Sequence, residues 1–452
     1  MNMDLEALKA KVASGDIDTV VVCMVDMQGR LVGKRFQAQF FIDSGGHTHA
    51  CDYLLANDIT MEPVPGYEAS SWERGYGDFE LRPDMSTLRE LPWQPGTALV
   101  LCDVLDHHGA PVPHSPRAIL KRQLERLDAL GYSLLCAPEL EFYLFEESHA
   151  AIAARDYRNP KLAGHYIEDY HVLQTSREEP FMRAVRNGLE GAGVPVENTK
   201  GEWGPGQGEI NVRYGQALVM ADRHALLKNA IKEIAAQQER AVTFMAKWRD
   251  DLAGNSCHIH LSLWDRAGTD SRSFDDAGAH GMSPEFAHFV AGLLANVEAT
   301  TLLLAPNVNS YKRFQAGTFA PTTALWSLDN RTAGFRLVGG SANSLRIECR
   351  VGGADLNPYL AYAGLIAAGI DGLERRLTLP EPIAGDLYER EDTQRLPADL
   401  AAAAAAFESS AVLREALTPA VVDHYAHAAR WEIECHQRAV SDWELARGLE
   451  QA

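Results

Sequence analysis

Apolar positions along this chain switch repeatedly between a period of two and a period near 3.6, the marks of strands and helices. Residues 19–25 (TVVVCMV) form an apolar run that stops at Asp26-Met27-Gln28-Gly29 and resumes at 31–36 (LVGKRF), which predicts a β-hairpin turning at Gln28-Gly29. Further strands are predicted near 78–82 and at 97–104, so the segment up to 112 is β-rich, with loops marked by Pro63, Pro65, Gly66, Pro83 and Pro92. In HGAPVPHSPRAIL, Ser115 suits an N-cap and Pro116 the first helical position. Ile119, Leu120, Leu124, Leu127 and Leu130 then recur at helical spacing until Gly131 closes the helix. We place a domain boundary there, giving 1–112 and 113–452. Beyond it, strands are expected at 132–137, 140–146, 209–214, 257–263, 335–338 and 345–351, and helices at 222–248, 284–304, 355–377, 401–406 and 421–448. This order predicts an α+β fold, an antiparallel sheet with helices packed outside it.

Composition narrows the partners. A formal net charge of −20 over 452 residues argues against nucleic acid and anionic membrane surfaces, which select for basic patches. The seven cysteines are odd in number and none forms a C-x-x-C pair, so they read as buried thiols in a reducing compartment. The N-terminal MNMDLEALKAKVASGD is a charged helix without an apolar core region, and no apolar stretch is expected to cross a bilayer. A cytoplasmic location is the expectation.

Four strand-like segments carry the candidate chemistry, because side chains alternate faces along a strand. Glu139, Glu141 and Tyr143 alternate with Leu140, Phe142 and Leu144. Glu209, Asn211 and Arg213 share a face, as do His258, His260 and Ser262 opposite Cys257, Ile259, Leu261 and Leu263. Arg346, Glu348 and Arg350 oppose Leu345, Ile347, Cys349 and Val351. The apolar sets need a core, so the polar sets share the other side of the sheet. Taken singly, each pattern also fits a solvated edge strand. Together they gather Glu, His and Arg, with no Lys in any of the four, and these are the residues that hold divalent metals and phosphates. Glu202, in the loop KGEWGPGQGE, adds a fifth carboxylate. Five carboxylates and one imidazole make an oxygen-rich site that favours Mg²⁺ or Mn²⁺ over zinc or copper. With no P-loop and no G-x-G-x-x-G after a strand, nucleotide phosphates would be held through metals and arginines.

The segments APELEF, KGEWGPGQGE, GNSCHIHLS, NSYKRFQAGTFAP, DNRTAGFR, RIECR and LNPYLAYAGLIAAGIDG, in this order, resemble the glutamine synthetase family, and AVSDWE looks like its C-terminal helical segment. The resemblance spans nearly the whole chain. It implies that Glu141, Glu202 and Glu209 hold one metal near glutamate, and that Glu139, His258 and Glu348 hold a second against the ATP phosphates. It implies nucleotide contacts from His260, Ser262, Tyr214, Arg346 and Arg336. Glutamate would be bound by Glu141, Gly254, Arg313 and Arg350, and the transferring phosphoryl group by Arg331 and Arg336. The fold implied is a small β-grasp-like N-terminal domain followed by a large antiparallel half-barrel with outer helices. The assembly implied is a homo-oligomer, a dodecamer of two stacked hexameric rings with each site between neighbouring subunits.

Several positions depart from the ammonia-using members. Their flap motif carries a glutamate before Ala-Pro, and here Phe319 stands in that place. Ala253-Gly254 replaces Asn-Gly, and Asn343 replaces a nucleotide-site lysine. In CDYLLA, Asp52 keeps an ammonium-binding charge, but Tyr53 and Leu54 are bulkier than the residues expected there. An amine pocket of Asp52, Tyr53 and Phe319 suits a carbon-bearing amine, so the chain resembles the subgroup that γ-glutamylates ethanolamine, polyamines and alkylamines. Three alternatives stand beside this one. An ammonia-dependent glutamine synthetase could rebuild its ammonium site on Asp52. A non-catalytic ring would have lost metal ligands, and all six are present. A kinase acting on a guanidine or amine would yield a phosphoramidate in place of an amide.

Overall fold

The computed structural model describes residues 3–390 and 393–452. Its first sheet is built from β1 (Thr19–Val25), β2 (Leu31–Gln37), β3 (Thr48–Cys51), β4 (Asp78–Pro83), β5 (Arg89–Glu90) and β6 (Thr97–Leu105). The order is β2-β1-β6-β4-β3 with β5 on β6, and β1 runs parallel to β6. The expected hairpin forms, with Val25 opposite Leu31 and Gly29 at a φ of 82°. A side chain at Gly29 would also crowd Asn357, whose amide donates to the carbonyls of Asp26 and Met27 at 3.1 and 3.0 Å. Asn357 caps the helix Pro358–Arg375 through Tyr359 N–H, so one buried side chain ties the hairpin turn to a helix over 300 residues away.

The second sheet comprises β7 (Tyr132–Phe145), β8 (Val196–Gly201), β9 (Gln207–Val212), β10 (Gly215–Gln216), β11 (Ala241–Thr243), β12 (Cys257–Asp265), β13 (Trp326–Leu328), β14 (Phe335–Val338) and β15 (Arg346–Cys349). The order is β13-β14-β15-β12-β7-β9-β8, with β10 and β11 also on β7, and every pairing is antiparallel except β13 with β14. Leu140, Phe142, Leu144, Ile259, Leu261 and Ile347 are buried on one side, under helices that include Pro116–Ala129 and Ala217–Gln237. A one-residue slip of β7 would turn these apolar side chains out and drive Glu139 and Glu141 into the core, so packing fixes which face the carboxylates occupy.

Four expectations are corrected. The two strands at 132–137 and 140–146 are one 14-residue strand, because β12 pairs along it from Cys257 to Asp265, past Pro138. The helix expected over 222–248 is Ala217–Gln237; Glu239 takes a left-handed φ of 57° and the chain turns back as β11. The helix over 421–448 is two, Pro419–Arg438 and Asp442–Gly448, because Ser441 and Glu444 form a capping box that starts the second. Finally, Pro284–Leu304 is apolar and long enough to span a bilayer by length and composition, contrary to the expectation of no such stretch. Most of it is buried in the fold, 72% of its most apolar window, against Pro358–Arg375. The two helices approach so closely that a Cβ on Gly292 would lie 2.2 Å from the Ala368 carbonyl oxygen. Among the described residues all seven cysteines are free, five of them buried, with Cys51 intermediate and Cys435 exposed.

Candidate active site

Register assembles the site. Glu139 stands opposite His258 on β12 and Asn211 on β9, and Glu141 stands opposite Glu209. Glu348 on β15 lies between His260 of β12 and Arg336 of β14. Cross-strand neighbours on one face touch, so these pairings set the frame of two acidic clusters, and the loop after β8 adds Glu202 to the first.

In the first, carboxylate oxygens of Glu141, Glu202 and Glu209 come within 4.8 Å of one another. Ser256 N–H donates to Glu141 at 2.7 Å, and the Gln207 amide holds the same carboxylate at 3.3 Å. Burial and the facing charge of Glu202 push Glu141 up to about 8; burial, Glu202 and Glu139 push Glu209 up to about 9. Two cations act on it among the described residues: Arg313 acts on Glu141, and Lys200 contacts Glu202, lies 3.9 Å from Glu209, and sits 4.5 Å from the centre of the Tyr170 ring. Burial opposes its charge, but Glu209 and Glu202 hold the ammonium above its ordinary range. The cluster is therefore short of positive charge, which is the chemistry of a divalent-cation site with hard oxygen donors.

The second cluster joins Glu139, His260 and Glu348 within 4.8 Å. His258 borders it too, with Nδ1 3.1 Å from Glu139 and 3.4 Å from Glu348, while His260 Nε2 lies 2.7 Å from Glu139. Both imidazoles are thus within reach of a metal there, not His258 alone. Burial opposes ionisation of Glu139, but hydrogen bonding to His258 and His260 holds it well below the usual carboxylate range. Glu348 has no exposed side chain surface and receives Arg336 at 2.9 Å and Arg350 at 2.5 Å. Burial opposes its charge as well, and the charges of His258 and Arg350 outweigh that and lower it. This cluster is already balanced by the protein, in contrast to the first.

Around the clusters, Arg336 is held between Glu348 and Asp329, at 3.1 Å from the latter through Nε. Arg331 is exposed on the loop before β14. Arg313 is fully buried and turned to Ser256 Oγ at 3.3 Å and to the carbonyls of Arg350 and Val351. A Cβ on Gly254 would meet the Arg313 side chain at 2.6 Å, which explains the glycine. His260, Ser262, Tyr214 and Arg346 all line one cavity of about 360 Å³ that also reaches Glu139 and Asn343. Arg346 Nε donates to His260 Nδ1 at 3.2 Å.

Phe319 has a left-handed φ of 58°, rare for a bulky residue, and its carbonyl accepts from Arg350 at 3.2 Å. Phe319 is 50% exposed, and its ring meets that of Trp203, also a 50% exposed residue, with centroids 6.0 Å apart at 66°. Asp52 and Tyr53 stand apart. Asp52 is buried in a short turn after β3, accepts from Ser70 Oγ at 2.6 Å, and among the described residues makes no contact with either cluster. Sequence reasoning missed Lys200, Trp203 and Asp329. Lys200 was findable, since it sits two residues before Glu202 and opposite Glu209 across β8–β9. Trp203 and Asp329 lie inside the segments KGEWGPGQGE and DNRTAGFR, but nothing in their spacing assigned either a partner.

A sheet face bearing two acidic clusters, two imidazoles and a row of arginines defines a centre for polyphosphate and carboxylate chemistry. Residues 113–448 match the glutamine synthetase catalytic domain, and the chain belongs to the glutamine synthetase family. It is 49% identical to the gamma-glutamylethanolamide synthetase of Streptomyces coelicolor over 99% of this chain and 96% of that one. It is 38% identical to the glutamate–isopropylamine ligase of a Pseudomonas species, covering 96% and 95%. Among solved structures, a GmaS/ADP complex superimposes with a TM-score of 0.85 at 27% identity, covering 99% of this chain and all of that one.

Proposed function

We propose that this chain is an ATP-dependent ligase that joins the γ-carboxylate of glutamate to an organic primary amine, of the ethanolamine, alkylamine or polyamine class. The observation that carries the amine assignment is the exposed Trp203–Phe319 pair, with Trp203 next in the chain to Glu202 of the first cluster and Phe319 at the position where the resemblance puts an ammonia enzyme's carboxylate. The relatives named for ethanolamide and isopropylamine products support it.

A carboxylate does not acylate an amine directly, because its oxygen is a poor leaving group. In the first step a γ-carboxylate oxygen attacks the terminal phosphorus of ATP, the bond to the ADP oxygen breaks, and γ-glutamyl phosphate forms. Arg336, fixed by Glu348 and Asp329, and Arg331 neutralise charge on the transferring oxygens. Arg350 holds a glutamate carboxylate beside Gly254, while Arg313, expected to share that role, is turned to Ser256 and to the Arg350 and Val351 carbonyls and braces Arg350 from behind. The cavity of His260, Ser262, Tyr214 and Arg346 takes the nucleotide. In the second step the neutral amine adds to the acyl carbon, phosphate leaves and one proton is released. Phe319 and Trp203 exclude water that would hydrolyse the acyl phosphate. Glu141, Glu202 and Glu209 would hold one Mg²⁺ or Mn²⁺, and Glu139, Glu348 and His258 or His260 a second; when bound, these supply charge neutralisation for the phosphates. Residues 1–112 and 113–452 act as two domains of a cytoplasmic dodecamer of stacked hexamers. Asp52 and Tyr53 of a neighbouring subunit then complete the amine end, with Asp52 a candidate proton acceptor.

The test is product analysis after incubation with ATP, Mg²⁺, glutamate and one of ethanolamine, ethylamine, putrescine or ammonia. A γ-glutamyl amide from an organic amine is expected. Glutamine as the sole amide, or a phosphorylated amine, overturns the assignment.

A further inference from the structure

Behind the catalytic sheet lies a second cavity of about 640 Å³ that none of the chemistry above uses. It sits inside one chain, between the hairpin turn and the 57–67 loop on one side and the helices Ala217–Gln237 and Pro419–Arg438 on the other. Phe244, Leu302, Leu303 and Leu360 give it apolar walls. Cavities at such junctions within this size range are where small molecules bind.

Its charged lining is unusual. Lys228 and Lys232 face it on one side; Asp58, Asp355 and Glu432 supply the opposite sign; Arg30 also lines it but is paired with Asp26 at 2.7 Å. Among the described residues, none of those two lysines and three acids has a salt-bridge partner. Burial lowers Lys228 to about 8, helped by Lys232, and burial with the neighbouring Asp58 raises Glu432. The polar lining is unfinished too. Asn57 is 3% exposed, yet neither its amide nitrogen nor its oxygen has a partner, and the buried Tyr67 hydroxyl and one Asp355 oxygen are likewise unpaired. Lys228 donates to the Leu356 carbonyl at 3.0 Å, Asp58 accepts from Thr60 and Glu62, and Asp355 accepts from Asn307 and Ser310, so each keeps its charge in the cavity wall without an ion of opposite sign against it. Buried polar groups are ordinarily satisfied, and the orphaned Asn57 amide between lysines and acids that lack ion-pair partners calls for a ligand carrying both signs.

We propose that this cavity binds a free α-amino acid with an apolar side chain. Its carboxylate meets Lys228 and Lys232, its ammonium meets Asp58 and Glu432, and the Asn57 amide, one donor and one acceptor, lies between them. The side chain packs on Phe244. That ring also contacts Phe142 of β7, with centroids 5.8 Å apart, so an occupant presses on the back of the strand whose other face carries Glu139 and Glu141.

The experiment is calorimetric titration of the intact enzyme, with glutamate saturating, using L-leucine and L-phenylalanine as probes. Phenylalanine or leucine is expected to bind. 3-Phenylpropanoate, which lacks the ammonium, and phenethylamine, which lacks the carboxylate, should each bind at least about tenfold more weakly than phenylalanine, the value of one lost charged contact. Lys232→Met and Glu432→Gln, both outside the catalytic machinery, should each weaken amino-acid binding by about tenfold or more while basal ligation is unchanged. No binding of either amino acid, or binding indifferent to both substitutions, overturns the proposal.

Discussion

Removing the aromatic wall beside the first cluster should erase the enzyme's preference for carbon-bearing amines. Trp203 and Phe319 each leave half their surface open and meet edge to face at 6.0 Å, so a substrate tail is the apolar body available to cover them. Each buried methylene contributes about 0.8 kcal/mol, so the two carbons of ethylamine contribute about 1.6 kcal/mol. That converts to a little over tenfold in kcat/KM relative to ammonia, which has no carbon to bury. Phe319→Ala removes one wall and should cut the ratio to about threefold to fourfold, one methylene's worth. The Trp203→Ala, Phe319→Ala double variant should bring it near unity. The assay is ADP release at saturating glutamate and ATP, comparing ammonia, methylamine, ethylamine and ethanolamine on all three proteins. Glutamate KM should stay constant, because Arg350 reaches Phe319 only through its main-chain carbonyl, which the substitution keeps. Wild-type enzyme with equal kcat/KM for ammonia and ethylamine refutes the reasoning, as does a preference untouched in the double variant.

Other outcomes follow from the same geometry. Glu139→Ala should abolish turnover while thermal unfolding changes little, since its side chain is 30% exposed; near-normal activity at saturating Mg²⁺ would mean the cluster is misassigned. Glu348→Ala should also abolish turnover but cost about 3–5 kcal/mol in denaturant unfolding, because it leaves the buried Arg350 without its carboxylate partner, while Arg336 keeps Asp329. Arg336→Ala should lower kcat by about 100-fold with KM values nearly unchanged, and a pure KM effect in steady-state kinetics would remove it from phosphoryl transfer. Asn357→Ala loses a helix cap and two bonds to the hairpin turn, so urea unfolding should register a loss of about 2–3 kcal/mol with activity per folded enzyme retained.

Much of the site was legible because strand alternation is a strict geometric rule. Once Glu139, Glu141, Glu209, His258, His260 and Glu348 are on strands with apolar alternates, packing leaves them one side to face. Which strand neighbours which was not legible, since register between β12 and β15 depends on contacts some 90 residues apart in sequence. That is why both imidazoles border the second cluster in space although the sequence distinguishes them only by motif position. Helix ends failed where a single local event overrode a continuing periodicity: the left-handed Glu239, and the capping box at Ser441. Loop residues such as Trp203 and Asp329 acquire their roles only from the distant elements they meet, Phe319 and Arg336, and no spacing rule encodes that.

The close crossing of Pro284–Leu304 and Pro358–Arg375 has a consequence during synthesis. The first helix leaves the ribosome before the glycine-bearing partner that covers it, and the far end of that partner lies 71 residues later (375 − 304). At about 5–20 residues per second, a 21-residue apolar segment is uncovered for roughly 4–14 s on every nascent chain. For that interval it is indistinguishable, to any machinery that reads hydrophobicity alone, from a membrane anchor.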